Sequence, residues 1–205
     1  MREVLPAGHG GLLVECADLT DVMNLHRALE ASRPAGVVDI VPAARTVLVT
    51  LSDGAPRAEV VAAIHAVDTR SLTETADRAE VVVPVTYDGG DLEDVAELTG
   101  IPVDEVVRRH AAADYVVAFT GFAPGFAYIA GGDPALHVPR RATPRTRVPA
   151  GSVSLAGEFT GIYPRVGPGG WQLIGRTDVV LWDLQRESPA LLTPGTPVRF
   201  EAVTS

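Results

Sequence analysis

From Gly121 to Arg176, glycine and proline recur so often that neither a long helix nor a long strand can form. Only short apolar runs survive between them, such as VSLAG at 153–157 and WQLIG at 171–175. Proline fixes φ and removes a backbone donor, and glycine opens positive φ, so interleaving the two produces stiff turns. Short strands joined by such turns predict a β barrel or sandwich carrying elaborate loops. Loops stiffened in this way lose little entropy when they hold a ligand or partner.

One of these loops, PRRATPRTRVPAG at 139–151, carries Arg140, Arg141, Arg145 and Arg147 between three prolines. The prolines make it a poor helix and a poor central strand, so a fixed surface loop is expected. The chain as a whole is acidic, with 17 basic and 26 acidic residues and a net charge of −9. Within 136–176, however, six arginines face a single acid, Glu158. With no acid nearby in sequence, this charge is expected to meet solvent, a protein partner or an anion. A block this local suits a small anionic ligand or a partner patch, whereas nucleic acid favours a basic balance over a whole face.

Every basic residue is arginine, and the absence of lysine excludes a P-loop lysine, a Schiff-base lysine and a lysine base. Cys16 is the only cysteine, which leaves no intrachain disulfide and no cysteine zinc cluster, and its place at the end of GLLVEC predicts a buried filler. The five histidines show no HExxH or other close metal spacing, so no metal site is expected. Ser152 and Ser154 have no histidine or lysine close in sequence to activate them as nucleophiles. No apolar run is long enough to span a bilayer, and MREVLPAGHG lacks a signal peptide's core, so a cytoplasmic protein without membrane partners is expected.

The first 86 residues alternate in period. GLLVEC, GVVDIVP, RTVLVTL and AEVVVPVTY have strand character, while DLTDVMNLHRALEA and PRAEVVAAIHAVD repeat apolar residues at helical spacing. The order β-α-β-β-α-β predicts a ferredoxin-like α+β domain over 1–86, with YDGGD (87–91) as the junction to a mainly-β domain over 87–205. Two short helices follow the junction, the first stopping at Gly100 and the second starting at Pro102. A strand at DYVVAFT and a last one in LLTPGTPVRFEAV frame the glycine-proline block.

Three stretches, GFAPGFAYI (121–129), PRRATPRTRVPAGSVSLAG (139–157) and TGIYPRVGPGGWQLIGRT (160–177), resemble the KipI/PxpB family. Its members are named as the B-type component of 5-oxoprolinase, as allophanate hydrolase subunit 1 or as sporulation-kinase inhibitor. The resemblance runs through nearly all of 80–202 and implies that the second domain is a cyclophilin-like β barrel, similar to half of a urea carboxylase carboxyltransferase region. It departs at Phe159, where relatives carry a polar residue, and at Ala127, where they carry proline.

The activity implied is ATP-dependent opening of the 5-oxoproline lactam to glutamate by a complex with two further components, one KipA/PxpC-like (C-type) and one PxpA-like (A-type). ATP would serve the complex, since this chain has no P-loop. A lactam carbonyl is a poor electrophile, and activating it, for instance by phosphorylation, calls for cationic and fixed donors. On that reading Arg145, Arg147 and Glu158 are the catalytic candidates. Arg140, Tyr163, Gly169, Gly170, Gln172 and Arg176 are the substrate-binding candidates, with the GPGG backbone presenting N–H groups to an anion. Two alternatives stay open. One is a binding module that inhibits a sensor histidine kinase; the other is a carboxyltransferase or allophanate-hydrolase-like component acting on urea-type amides. Biotin is carried on lysine, so this chain is not the biotin carrier.

Overall fold

The first unit, Met1–Ala76, is built on short apolar strands, of which the β-branched run TVLVTL shows the clearest alternation of burial. The computed structural model describes residues 2–67 and 78–204; Asp68, the last residue of the second helical pattern, lies outside them. Strands β1 (Glu3–Pro6), β2 (Gly11–Glu15), β3 (Val37–Pro42) and β4 (Thr46–Leu51) form an antiparallel sheet in the order β1-β2-β4-β3. Helix α1 (Leu19–Ala31) starts where the Asp18 carboxylate accepts from the Asp21 N–H, which satisfies one orphan donor of the first turn. It buries Val22, Leu25 and Leu29, and α2 (Arg57–Ala66) adds Val60 and Ile64, against Leu12, Val14, Val47 and Val49. Cys16 lies in this core, where burial pushes its thiol up to about 11, the state of an inert filler.

Among the described residues, the expected closing strand of a ferredoxin-like sheet does not join the first sheet. Strand β5 (Val81–Val85) pairs in parallel with β13 (Pro197–Ala202) of the second unit, Asp77–Ser205. The edge beside β2 is filled instead by β1, which needs only the short turn at Ala7–Gly10 to reach its partner. A hairpin neighbour closes a far smaller loop than a strand beyond α2 would, so the local pairing is favoured. The element order in the first unit is therefore β-β-α-β-β-α, and a boundary at 86 separates β5 from the sheet to which it belongs.

In the second unit, α3 (Leu92–Thr99) ends at Gly100, whose φ of 69° is the left-handed cap that glycine adopts freely. Helix α4 (Val103–Ala112) follows, then β6 (Tyr115–Thr120), β7 (Ala127–Ala130), β8 (Arg145–Val148), β9 (Ser152–Ala156), β10 (Phe159–Ile162), β11 (Gly167–Gly169) and β12 (Gln172–Arg176). Seven strands run in the order β12-β9-β10-β7-β6-β13-β5. The two ends of that order meet: Thr86, just past β5, exchanges both backbone hydrogen bonds with Arg176 at 2.9 Å. The result is a nearly closed, barrel-like sheet, and closure removes the unpaired edges an open sheet would leave. Strands β8 and β11 stand apart as a two-stranded ribbon.

The barrel core holds a fully buried histidine, His110 of α4. Its Nδ1 lies 2.7 Å from the Tyr87 hydroxyl and its Nε2 lies 3.0 Å from Thr160 Oγ1. Thr160 donates its own proton to the Ser154 carbonyl, so it accepts from His110 Nε2–H, and Nδ1 accepts from Tyr87. Burial pushes the imidazole down to about 3, and the ring stays neutral. Replacing Thr160 with valine strips the Nε2–H of its acceptor and is expected to cost about 1–3 kcal/mol by urea unfolding. Unchanged stability would show that the network adds nothing. Among the described residues, no helix is long and apolar enough to cross a membrane.

Candidate functional site

The arginine-rich segment is organised by an acid that lies far from it in sequence. Asp91 closes YDGGD and is 1% exposed. Its Oδ1 accepts from Arg141 Nη1 at 2.5 Å and from Arg145 Nη2 at 2.6 Å, and its Oδ2 accepts from the Leu173 N–H at 2.7 Å. The Asp91 N–H in turn donates to the Leu173 carbonyl at 2.9 Å, which fastens the residue to β12 from both sides. Burial alone would raise this carboxyl. The bonds from Arg145 and Leu173, with the charges of Arg145 and Arg141, outweigh burial and hold it below the usual carboxylate range. Asp94 of α3 adds a longer contact to Arg141 at 3.4 Å. Asp88 takes Arg176 Nε at 2.8 Å.

The arginine block therefore does have acidic partners, contrary to the expectation drawn from its own stretch of chain. They come from 88–94, and Glu158 is not the counter-ion: it sits exposed in the turn between β9 and β10 and pairs with none of the described arginines. Arg141, the one arginine of the loop not counted as a candidate, is clamped as tightly as Arg145. The available signal was YDGGD itself, whose two aspartates flank a pair of glycines in an otherwise polar turn.

The loop is also more regular than its prolines suggest. Residues 145–148 pair with 167–169 in the β8–β11 ribbon, and Arg141 N–H donates to the Gly170 carbonyl at 2.7 Å. Gly169 is needed for close approach, because a Cβ there would lie 2.0 Å from the Tyr163 hydroxyl. Tyr163 is buried, which raises its hydroxyl, and the Trp171 backbone N–H is bonded to it. Trp171 packs edge-on against Phe126 and Tyr128, and Arg140 lies over its ring at 6.0 Å, within cation–π range. Gln172 is buried at the start of β12 and donates from Nε2 to the Pro139 carbonyl at 3.1 Å.

Arg147 differs from its neighbours. It stands two residues on from Arg145, where the pairing of β8 with β11 shifts register. It is exposed and has neither an ion pair nor a side-chain hydrogen bond among the described residues. The structure thus brings Arg145, Gly169, Gly170, Tyr163 and Gln172 around one ribbon, with Arg140 and Arg147 at its surface. Arg176 is tied to Asp88 at the barrel seam, and Glu158 stays in its hairpin turn.

A mainly-β unit of this plan, with an arginine ribbon buttressed from the start of a helix, belongs to a recognisable class. The chain is a member of the carboxyltransferase domain family, subdomains C and D, whose profile matches residues 2–192. Among curated relatives, the B-type component of 5-oxoprolinase from Escherichia coli O157:H7 is 50% identical over 123 residues, 58% of this chain and 56% of that protein. The protein of the same name from Bacillus subtilis (strain 168) is 43% identical over 131 residues, 62% of this chain and 55% of its own. These relatives support the KipI/PxpB resemblance, although the chain spans only a little over half the length of each. Of solved structures, TTHA0988 superposes with TM-score 0.76 at 35% identity, covering 95% of this chain and 40% of that one. The conserved uncharacterized protein PH0987 from Pyrococcus horikoshii gives 0.60 at 34% identity, covering 99% and 98%. The Kluyveromyces lactis urea carboxylase gives 0.72 at 21% identity, covering 99% of this chain and 22% of that enzyme, a likeness of fold.

Proposed function

We propose that this chain is the B-type component of an ATP-dependent 5-oxoprolinase, acting in the cytoplasm with a KipA/PxpC-like component and a PxpA-like component. The observation that carries the reading is the ribbon. The ribbon and the loop leading into it hold Arg145 and Arg141 on Asp91 and leave Arg147 and Arg140 without acidic partners among the described residues. The names of the curated relatives support the substrate. ATP is consumed by the assembled complex, and the barrel is read as cyclophilin-like in plan without isomerase activity, since fold alone does not carry function.

Within that reading the residues divide their work. Arg147 and Arg140 meet the carboxylate or the phosphate-like charge of the activated lactam; Arg147 is fixed by its ribbon and Arg140 by Trp171. Arg145, clamped on Asp91, braces the strand that carries Arg147. Gly169 and Gly170 let the backbone approach, Tyr163 and Gln172 line the floor, Arg176 secures the seam, and Glu158 is the nearest unpaired candidate base in sequence. The test is turnover of 5-oxoproline by the reconstituted complex. The chain alone should open no lactam and hydrolyse no ATP, and omitting it should abolish turnover. Arg147→Ala should lower turnover roughly ten- to a hundredfold with assembly intact, the loss expected for one charge-assisted contact. Full activity of that variant would remove Arg147 from the chemistry, and turnover without this chain would remove its assignment to the complex.

A further inference from the structure

The sheet of the first unit departs from the pattern of an antiparallel sheet with one face in solvent. Helices α1 and α2 pack on one face, against Leu12, Val14, Val47 and Val49. The residues between these point to the other face, which neither helix of the unit covers. There the strand registers align four aliphatic side chains in a single row: Leu5 stands opposite Leu13, Leu13 opposite Leu48, and Leu48 opposite Val41. None of the four belongs to the core beneath the helices, and Leu5 and Val41 are 36% and 41% exposed. The rows on either side are polar, as a solvated face requires, with Glu3, Glu15 and Thr46 on one and Thr50 and Asp39 on the other. The aliphatic row crosses four strands and is about 14 Å long, with the polar rows about 7 Å to each side.

The charges beside the row indicate what would cover it. Glu3 and Glu15 are exposed and stand directly opposite each other on neighbouring strands, an arrangement that costs free energy unless a cation lies over the pair. Neither is ion-paired among the described residues. Asp39 adds an exposed carboxylate on the far row, bonded to the Ile40 N–H. A second copy of this face would bring the same acidic rows, and no cation, to the contact. We propose that the face docks an amphipathic, cationic helix of a partner protein. Its apolar ridge lies on Leu5, Leu13, Leu48 and Val41, and arginine or lysine on its flanks meets Glu3 and Glu15 on one side and Asp39 on the other. About ten helical residues match the length of the row at about 1.5 Å each, and side chains on the flanks of such a helix reach the polar rows. This surface shares no residue with the arginine ribbon, so it gives the chain a protein-binding role separate from the chemistry proposed above.

The probe is a synthetic helical peptide of about 18 residues with leucines along one face and arginines on both flanks, compared with the same peptide carrying glutamate in place of arginine. Fluorescence anisotropy with the full chain reads the binding. Wild type should bind the arginine peptide at least about tenfold more tightly than the glutamate peptide, and more weakly as salt rises. Leu13→Thr combined with Leu48→Thr keeps strand-compatible side chains but breaks the centre of the row, and should weaken the arginine peptide about tenfold or more. Glu3→Gln combined with Glu15→Gln should remove most of the preference for arginine and flatten the salt dependence. Binding that neither pair of changes alters is held by the net negative charge of the chain and overturns the assignment. So does equal binding of the two peptides, or no binding of the arginine peptide. A concentration-dependent dimer of wild type that the threonine pair abolishes, seen by sedimentation, would put a second copy on the face instead. The glutamine pair removes no apolar contact, so the charge comparison stands even if the threonine pair does not fold.

Discussion

Replacing Asp91 with alanine is expected to destabilise the second unit by about 3–5 kcal/mol, the cost of leaving partly buried cations without their shared counter-ion. Arg141 and Arg145 keep only 31% and 27% of their side-chain surface exposed, so solvent replaces the lost carboxylate only in part. The Leu173 N–H loses its acceptor in the same step. For a unit of this size the midpoint of thermal unfolding should fall by roughly 10–15 °C. Arg199→Ala is the matched control, since Arg199 and Glu80 are both about half exposed and the pair is expected to contribute less than about 1 kcal/mol. Asp91→Asn should fall between the two, because it can still accept from Leu173. The pH dependence has a defined sign. Asp91 is depressed in the folded state, so its contribution is complete above the ordinary carboxylate range and fades as pH falls through the folded value. Asp91→Ala should flatten that acid arm of the stability profile. Equal melting of wild type and Asp91→Ala would show that the clamp is ornamental.

The glycine-proline block and its arginine loop were legible in sequence because their signals are local. Glycine and proline act on their own residue, and an arginine cluster is visible as a run. What the arginines bind was not legible, because Asp91 lies 50 and 54 residues from Arg141 and Arg145, and composition within a window cannot register a partner outside it. The same limit explains the first sheet. VVVPV has the pattern of a strand, but nothing in its pattern distinguishes an antiparallel place beside β2 from a parallel place beside β13. The turn YDGGD carried more than a turn's meaning. It supplies Asp88 to Arg176 and Asp91 to Arg141 and Arg145, so the stretch read as a junction is a latch between the barrel seam and the arginine ribbon.

That latch also explains why its first glycine cannot be replaced. A Cβ on Gly89 would stand 2.3 Å from the Ile174 carbonyl carbon and the Leu173 oxygen, and 2.5 Å from the Gly175 nitrogen. All three are backbone atoms of β12, so no side chain can swing aside, and the turn or the strand must move by more than about an ångström. Moving the turn breaks the Asp91 bonds to Leu173 on one side and the paired Thr86–Arg176 bonds at the barrel seam on the other. Overpacking of about 1–3 kcal/mol, together with about 1 kcal/mol for each of the three backbone–backbone bonds lost, puts Gly89→Ala at roughly 4–6 kcal/mol. Gly90, next in the chain, has open space where its Cβ would be, and Gly90→Ala should cost less than about 1 kcal/mol. Because Gly89 and Asp91 act on one anchor, their effects should not add: once the alanine at 89 has lifted the turn, removing the carboxylate has little left to break. A double variant destabilised by only slightly more than the worse single variant, in urea unfolding, is the expected result. Full additivity would mean that the close approach of Gly89 and the charge of Asp91 hold separate parts of the barrel, and the latch would not be a single device.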